Sequence, residues 1–297
     1  VSDTASNTTA DALGETIERY RALVNAAHRA LIGASPYGER VGAMLEAANR
    51  ILLSKEAKRV RAIIPLVLAE RGFCDADYAV RCGVLVELLH FASLIHDDVI
   101  DGATERRHEP AVNAVFGSPD AVLVGDHFIC EAIDYALRMP RSTDVIAACV
   151  RAVKSLIHGI FVERRLEQEN LGFDTYLRMA ELKTGVLFEL AFQLPLLGSS
   201  TADTAARVGR RFGVLFQIYD DWSDRDTDPG WVNAYTHLSR DEAAAHCTQA
   251  FDALAAEARD AGVYEVVAVV VRWLHRSGYF ADAVLELAGG RNHTAGA

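Results

Sequence analysis

LVELLHFASLIHDDVIDGATERRHEP, Leu85 to Pro110, runs from an almost wholly apolar segment into three aspartates and then two adjacent arginines. The apolar part is long, carries no strand-type alternation and reads as a helix. A helix that is greasy on most of its faces is buried on most of them. Its charged end therefore marks the place where a core runs out. Asp97, Asp98 and Asp101 form a DDxxD motif in which the first and last members, at i and i+4, project from one face about a turn apart. The same spacing returns at Asp220, Asp221 and Asp224 in FQIYDDWSD, again after an apolar run, FGVLFQIY. A lone DDxxD is more often an acidic surface patch. Two, each at the end of a buried helix, point to the rim of a cavity.

Working outward, apolar residues at Leu13, Ile17, Tyr20, Val24, Ala27 and Leu31 repeat by four and three. Similar helical segments are predicted over 39–53, 56–70, 76–101, 119–139, 142–169, 173–197, 202–224, 239–260 and 263–277. ASPYG, RGFCD, MPRST, LLGSS and DTDPG punctuate them. The least certain assignment is Tyr264–Val271, whose β-branched residues suit a strand as well; it is read as helix because no partner strand is visible. No linker or change of composition divides the 297 residues, so the expectation is an all-α fold in one large helical domain over 1–297, with 1–10 and 289–297 as mobile tails.

The net charge of −11 argues against a nucleic-acid surface. No continuous apolar run approaches the roughly 20 residues that cross a bilayer, so no transmembrane segment is expected. Five scattered cysteines without a CxxC pair fit reduced thiols and a cytoplasmic location.

Six carboxylates around one cavity call for cations, and hard oxygen ligands on flexible stems suit Mg²⁺ bridging to phosphate. Direct cations should then lie close by. Arg106 and Arg107 follow the first motif at once; Lys58 and Arg61, at i and i+3, share a helix face and can clamp one diphosphate; Lys183 stands in ELKTGVLF, where Thr184-Gly185 suggests a local break; His90 is one heptad before Asp97. Each alone has a bland reading, as a solvated face or a hydrogen-bonded core histidine. Together they describe a site for two anions.

On these residues the chain resembles a trans-isoprenyl diphosphate synthase of the polyprenyl synthetase family. The resemblance runs from about Lys58 to Asp224 and is strongest in ELLHFASLIHDDVIDGATERRHEPAVNAVFGSPDAVLVGDHF, with KTG at Lys183–Gly185 and FQIYDDWSD following in order. It implies a single all-α bundle around a deep apolar cavity, usually a homodimer, which joins isopentenyl diphosphate to an allylic diphosphate with Mg²⁺. It further implies that Asp97, Asp101 and Asp220 are the main metal ligands, supported by Asp98, Asp221 and Asp224. Arg106, Lys183 and Gln217 would hold the allylic substrate, with Thr184 and Gln217 steadying the cation. Lys58, Arg61, His90 and Arg107 would hold isopentenyl diphosphate. Small residues at Ala92 and Ser93, about a turn before Asp97, would let the product grow past them to Leu89 or Leu88, which favours C20.

Several positions depart from the family pattern. Glu56-Ala57 replaces the usual Gly-Gly before Lys58, and His108 replaces a glycine after the paired arginines. GIFVE, Gly159–Glu163, stands where GExxQ is expected, and DRDTDPGWVNAYTHLSRDEAAAH lacks the usual lysines. Arg225 or Asn233 are the positions that could compensate. The missing lysines keep open a divergent class I terpenoid enzyme, either a prenyltransferase with an unusual acceptor or a cyclase. A non-catalytic partner subunit of another synthase is a third reading, disfavoured by the retention of six aspartates.

Overall fold

The computed structural model describes residues 16–29, 38–169, 171–224, 233–234 and 239–276. The tails at 1–10 and 289–297, and Arg225, lie outside the described residues. The described chain is almost entirely helical, and it groups into two compact units, Val1–Ala147 and Ala148–Ala297.

The first unit is built on α4 (Ala76–Asp101), the segment from which the fold was read. Asp75 caps it, its side chain accepting from the backbone N–H groups of Asp77 and Tyr78, and Gly102, left-handed at φ 65°, ends it. Between those ends the helix is buried on nearly every side, from Ala79 through Ile95. It packs against α3 (Val60–Glu70) and α6 (Ser118–Leu137), and Phe91 meets Phe128 of α6 edge to face at 4.9 Å. Around it stand the helix at 16–29, here α1, then α2 (Glu39–Leu52) and the short α5 (Val112–Phe116).

Helix α3 starts later than the sequence predicts. Residues 56–59 are not helical, because Arg59 adopts a left-handed conformation, φ 59°, at the N-cap. Lys58 and Arg61 consequently do not share a helix face. A two-stranded antiparallel ribbon, β1 (Glu105–Arg106) with β2 (Glu109–Pro110), follows α4 and was not foreseen.

In the second unit, α7 (Ser142–Gln168) continues from the first and is followed by α8 (Phe173–Ala180), α9 (Val186–Gln193), α10 (Ala202–Asp224), α11 (Arg240–Asp260) and α12 (Tyr264–Arg276). The last confirms the helical reading of Tyr264–Val271. The break expected at Thr184-Gly185 is instead a π-helical turn over Glu181–Gly185, which widens the helix without interrupting it. Ser239 and Glu242 form a reciprocal capping box at the start of α11. Phe188 of α9 packs against Phe212 and Phe216 of α10, and α10 approaches the end of the π turn so closely that a Cβ on Gly213 would stand 2.6 Å from the Cα of Gly185.

The test of being long and apolar enough to span a bilayer is one that the buried core helix of a soluble protein also meets, so the expectation of no transmembrane segment is not overturned. Ala76–Asp101 and Ser142–Gln168 both pass that test by length and composition, because serine, histidine and an isolated cation lower a window's hydropathy less than they break an apolar run. In the first, 67% of the apolar window is buried inside the structure; in the second, 33%.

Since backbone cannot yield as a flexible side chain can, Gly213→Ala should cost about 1–3 kcal/mol despite alanine's better helix propensity. A urea titration of both proteins measures the loss.

Candidate active site

In the first unit the three aspartates of DDVID take different environments. Asp97 is half-buried and Asp101 exposed, on the same face of α4. Asp98 is buried and turns to Arg106, accepting from its Nε at 2.8 Å and from its Nη2. Burial raises the Asp98 carboxyl above the usual range, while the Arg106 hydrogen bonds work in the opposite direction. The Asn113 amide donates to the carbonyls of Asp98 and Ala103, at 3.1 and 2.8 Å, and so fixes the turn that brings Arg106 back.

Arg107 and His108 are the two central residues of the hairpin, at φ 56° and 60°. Such a turn is normally made by glycine or asparagine. Holding two ordinary side chains left-handed costs on the order of 1–2 kcal/mol each. The position where a family glycine is replaced by His108 is thus a strained one. The turn aims Arg107 inward, where Nη1 donates to the Ile51 carbonyl at 3.2 Å. Burial and the neighbouring guanidinium groups lower its pKa to about 10, so it remains charged at neutral pH.

Behind these residues, Arg59 is buried and its Nη1 donates to Glu87 at 2.8 Å. Its Nε reaches the Asn25 side chain at 3.2 Å, and its Nη2 the Leu52 carbonyl. This arginine and Glu87, which sequence reasoning missed, tie α1, α2 and α4 together at the start of α3. Arg61 donates from Nη1 to His90 Nε2 at 3.2 Å; since guanidinium cannot accept, that nitrogen carries no proton. Burial first, then Arg61, Arg107, Arg59 and Arg106, hold His90 well below the ordinary histidine range. Lys58 is exposed at the edge of this cluster. The sequence-predicted Arg61, His90, Arg106 and Arg107 are thus brought together with Asp98, in a concentration of positive charge suited to a polyanion.

In the second unit, Lys183 and Thr184 ride on the π turn. A Cβ on Gly159 of α7 would lie 2.6 Å from the Lys183 backbone nitrogen, so GIFVE keeps its glycine where the turn leans on α7. Glu163, four residues on, takes the Lys183 ammonium at 2.5 Å. Thr184 Oγ1 donates to Gln217 Oε1. Gln217 Nε2 donates in turn to Asp221 Oδ1 at 2.7 Å. The other oxygen of Asp221 accepts from the Tyr176 hydroxyl at 2.7 Å and from the Ala234 backbone N–H at 2.8 Å. Asp221 is buried, Asp220 half-buried, and Asn233 buried; the Asp224 side chain lies outside the described residues. Burial and the Asp221 charge push the Tyr176 hydroxyl well above its ordinary pKa, so it acts as a donor.

Among the described residues no three His, Cys, Asp or Glu side chains converge on a ready-made metal cage. This donor set fits Mg²⁺, which keeps most of its water and takes one or two carboxylates together with phosphate oxygens. Within the first unit Asp97 and Asp101, and within the second Asp220, carry carboxylates of that kind. Asp98 and Asp221 are directed at protein donors.

Comparison with known proteins agrees with the geometry. A sequence profile of the polyprenyl synthetase family matches residues 43–276, and the chain belongs to that family. It is 31% identical over 186 residues to a geranylgeranyl pyrophosphate synthase of Geoglobus acetivorans, 60% of this chain and 58% of that one. To a nonaprenyl diphosphate synthase of Mycobacterium tuberculosis it is 33% identical over 184 residues, 60% of this chain and 54% of the other. The chain thus spans less than two thirds of the length of the curated relatives it matches. A geranyltranstransferase structure from Thermotoga maritima superposes with a TM-score of 0.78 at 23% identity, covering 88% of this chain and 98% of that one, which establishes the shared fold.

Two buried histidines make stability depend on acid. His28, on α1, is held at about 4 by burial and by Arg59, and His90 is also depressed. Both are neutral in the folded protein at pH values where the unfolded chain binds protons, so their stabilising effect is complete above about 6.5 and is lost as pH falls toward the folded values. The denaturation midpoint should drop between pH 6.5 and 4, and His28→Gln should make that drop shallower by about one proton's worth of slope.

Proposed function

We propose that this chain is a Mg²⁺-dependent prenyltransferase that condenses isopentenyl diphosphate with an allylic diphosphate into a longer trans-polyprenyl diphosphate, with 1–297 working as one domain around a deep apolar cavity. The observation that carries this reading is the guanidinium cluster around neutral His90, beside the DDxxD end of α4. A terpene cyclase ionises a single diphosphate and has no use for a second polyanion site of this kind.

In this reading Arg61, Arg107, Lys58 and His90 bind isopentenyl diphosphate. Arg106 and Lys183, with Asp97, Asp101 and Asp220 holding Mg²⁺, receive the allylic diphosphate. Mg²⁺, when bound, neutralises charge growing on the departing diphosphate. The arginines add fixed positive charge that needs no reorganisation as the C–O bond breaks. Thr184 and Gln217 present oxygen dipoles to the allylic cation; the double bond of isopentenyl diphosphate attacks it, and loss of a proton to the released diphosphate then restores a double bond in a product longer by one C5 unit. Holding both partners replaces a bimolecular encounter with a local one. The pairing of Lys183 with Glu163 supports a lysine kept in place until an anion competes for it.

For product length, Ser93 is the more telling of the two small residues. It is half-buried on the Asp97 face, with its hydroxyl folded back to the His90 carbonyl at 2.8 Å, whereas Ala92 is fully buried. A small residue there supports growth toward Leu89 and a C20 product, the class named for the Geoglobus relative. Leu123, Ile133 and Leu137 are exposed on α6, which supports a homodimer that covers them. The five free cysteines support a reducing, cytoplasmic setting.

Incubation with Mg²⁺, labelled isopentenyl diphosphate and C5, C10 or C15 allylic diphosphates should yield longer diphosphates. Hydrocarbon or alcohol from an allylic diphosphate alone would overturn the reading in favour of cyclisation. Activity that appears only on adding a second synthase would overturn it in favour of a partner subunit; one relative is named component 2 of a heptaprenyl diphosphate synthase from Geobacillus stearothermophilus, 32% identical over 180 residues. Asp97→Ala and Asp220→Ala should each lower kcat by at least about 100-fold in a folded protein. Ser93→Phe should shorten the product to C15 or less, read by chromatography of the dephosphorylated alcohols.

A further inference from the structure

We infer that Tyr176 is a positioning residue for prenyl transfer, acting through Asp221 to fix the orientation of the Gln217 amide. The inference rests on the proposed reaction and adds a residue that the sequence did not single out.

Tyr176 is completely buried, among the largest side chains so enclosed, and its ring stacks on Phe173 at 5.5 Å. Phenylalanine would fill that space. A buried tyrosine needs a partner for its hydroxyl, and this one donates to Asp221 Oδ2. The same oxygen accepts from the Ala234 N–H. Held at Oδ2 by two donors from different parts of the unit, the carboxylate has a fixed plane, and Oδ1 is left facing Gln217.

An ionised carboxylate accepts and cannot donate. The Gln217 amide must therefore turn its NH₂ toward Asp221, and its Oε1 away. That oxygen meets the Thr184 hydroxyl on the π turn. Rotating the amide by half a turn would set Oε1 against Oδ1, two acceptors face to face, and lose the hydrogen bond to Asp221, although the Thr184 hydroxyl could then accept from the NH₂. The network thus has one satisfied arrangement, which leaves oxygen, the atom that can face a cation, on the Thr184 side. Asp221 works here as an acceptor for protein donors, while Asp220 beside it remains the candidate metal ligand.

Tyr176→Phe keeps the ring and removes only the hydroxyl. We expect kcat to fall roughly 10- to 100-fold, as for loss of one preorganised electrostatic contact, with KM for both substrates and the Mg²⁺ half-saturation concentration within about twofold of wild type. Asp220→Asn, by contrast, should raise the Mg²⁺ requirement. A second readout is independent of turnover: in wild type the Gln217 side-chain NH₂ should give distinct, slowly exchanging nitrogen–proton NMR signals, and in Tyr176→Phe these should broaden or exchange faster. An unchanged kcat, or a Mg²⁺ requirement raised as far as in Asp220→Asn, would overturn the inference. Unaltered Gln217 signals would overturn it as well, even if the protein proved to catalyse a different reaction.

Discussion

Adjacent residues on a helix point about 100° apart, so the first two aspartates of a DDxxD motif cannot share one face. Both motifs of this protein resolve that constraint alike. Asp98 turns inward to Arg106, and Asp221 turns inward to Tyr176, Gln217 and Ala234. The inner carboxylate binds the helix end to the chain around it. Asp97 and Asp220, beside the inner carboxylates, are left half-buried at the boundary of the core. A buried acid is tolerable only when its oxygens are occupied by donors, and here Arg106, Tyr176, Gln217 and the Ala234 N–H supply them.

The cations are arranged by the same economy. Arg59 and Glu87 form a buried pair, and removing either partner alone would leave the other charge stranded. Their contacts reach three helices and set the loop that carries Lys58, with Arg61 in the first turn of α3. His90 stays neutral because four guanidinium groups and burial oppose its protonation. It can then accept from Arg61 and not repel it. Left-handed backbone at Arg59, Arg107 and His108 shows that the chain bears local strain in the segments that carry the arginines.

Much of this was legible in the sequence, because hydrophobic period and terminal signals act locally. The spans of α4 and α10 follow from such cues, and the helical reading of Tyr264–Val271 from the lack of a partner strand in the sequence. The β-ribbon at 105–110 is a local departure from expectation, whereas others involve partners distant in sequence. The start of α3 moved because Arg59 bonds to Asn25, Leu52 and Glu87, and no propensity rule sees those contacts. Which aspartate of each pair faces inward depends on Arg106 and on Tyr176, the latter 45 residues before its acceptor. The role of Glu163 became visible only when Gly159 was found against the backbone of Lys183. Candidate residues could be named from motifs, whereas their pairing needed coordinates.

The wide turn at Glu181–Gly185 has a consequence for how this chain can tolerate change. One surplus residue in a single helical turn works as a phase shifter, offsetting every side chain downstream by roughly the angle of one residue relative to an uninterrupted spiral. Tyr176 and Met179 on one side of it, and Phe188 and Phe192 on the other, are all buried with that offset in place. A one-codon deletion inside ELKTG would leave composition and helical propensity nearly untouched. It would nevertheless rotate the aromatic wedge of α9 out of step with α10, so insertions and deletions should be far scarcer here than substitutions.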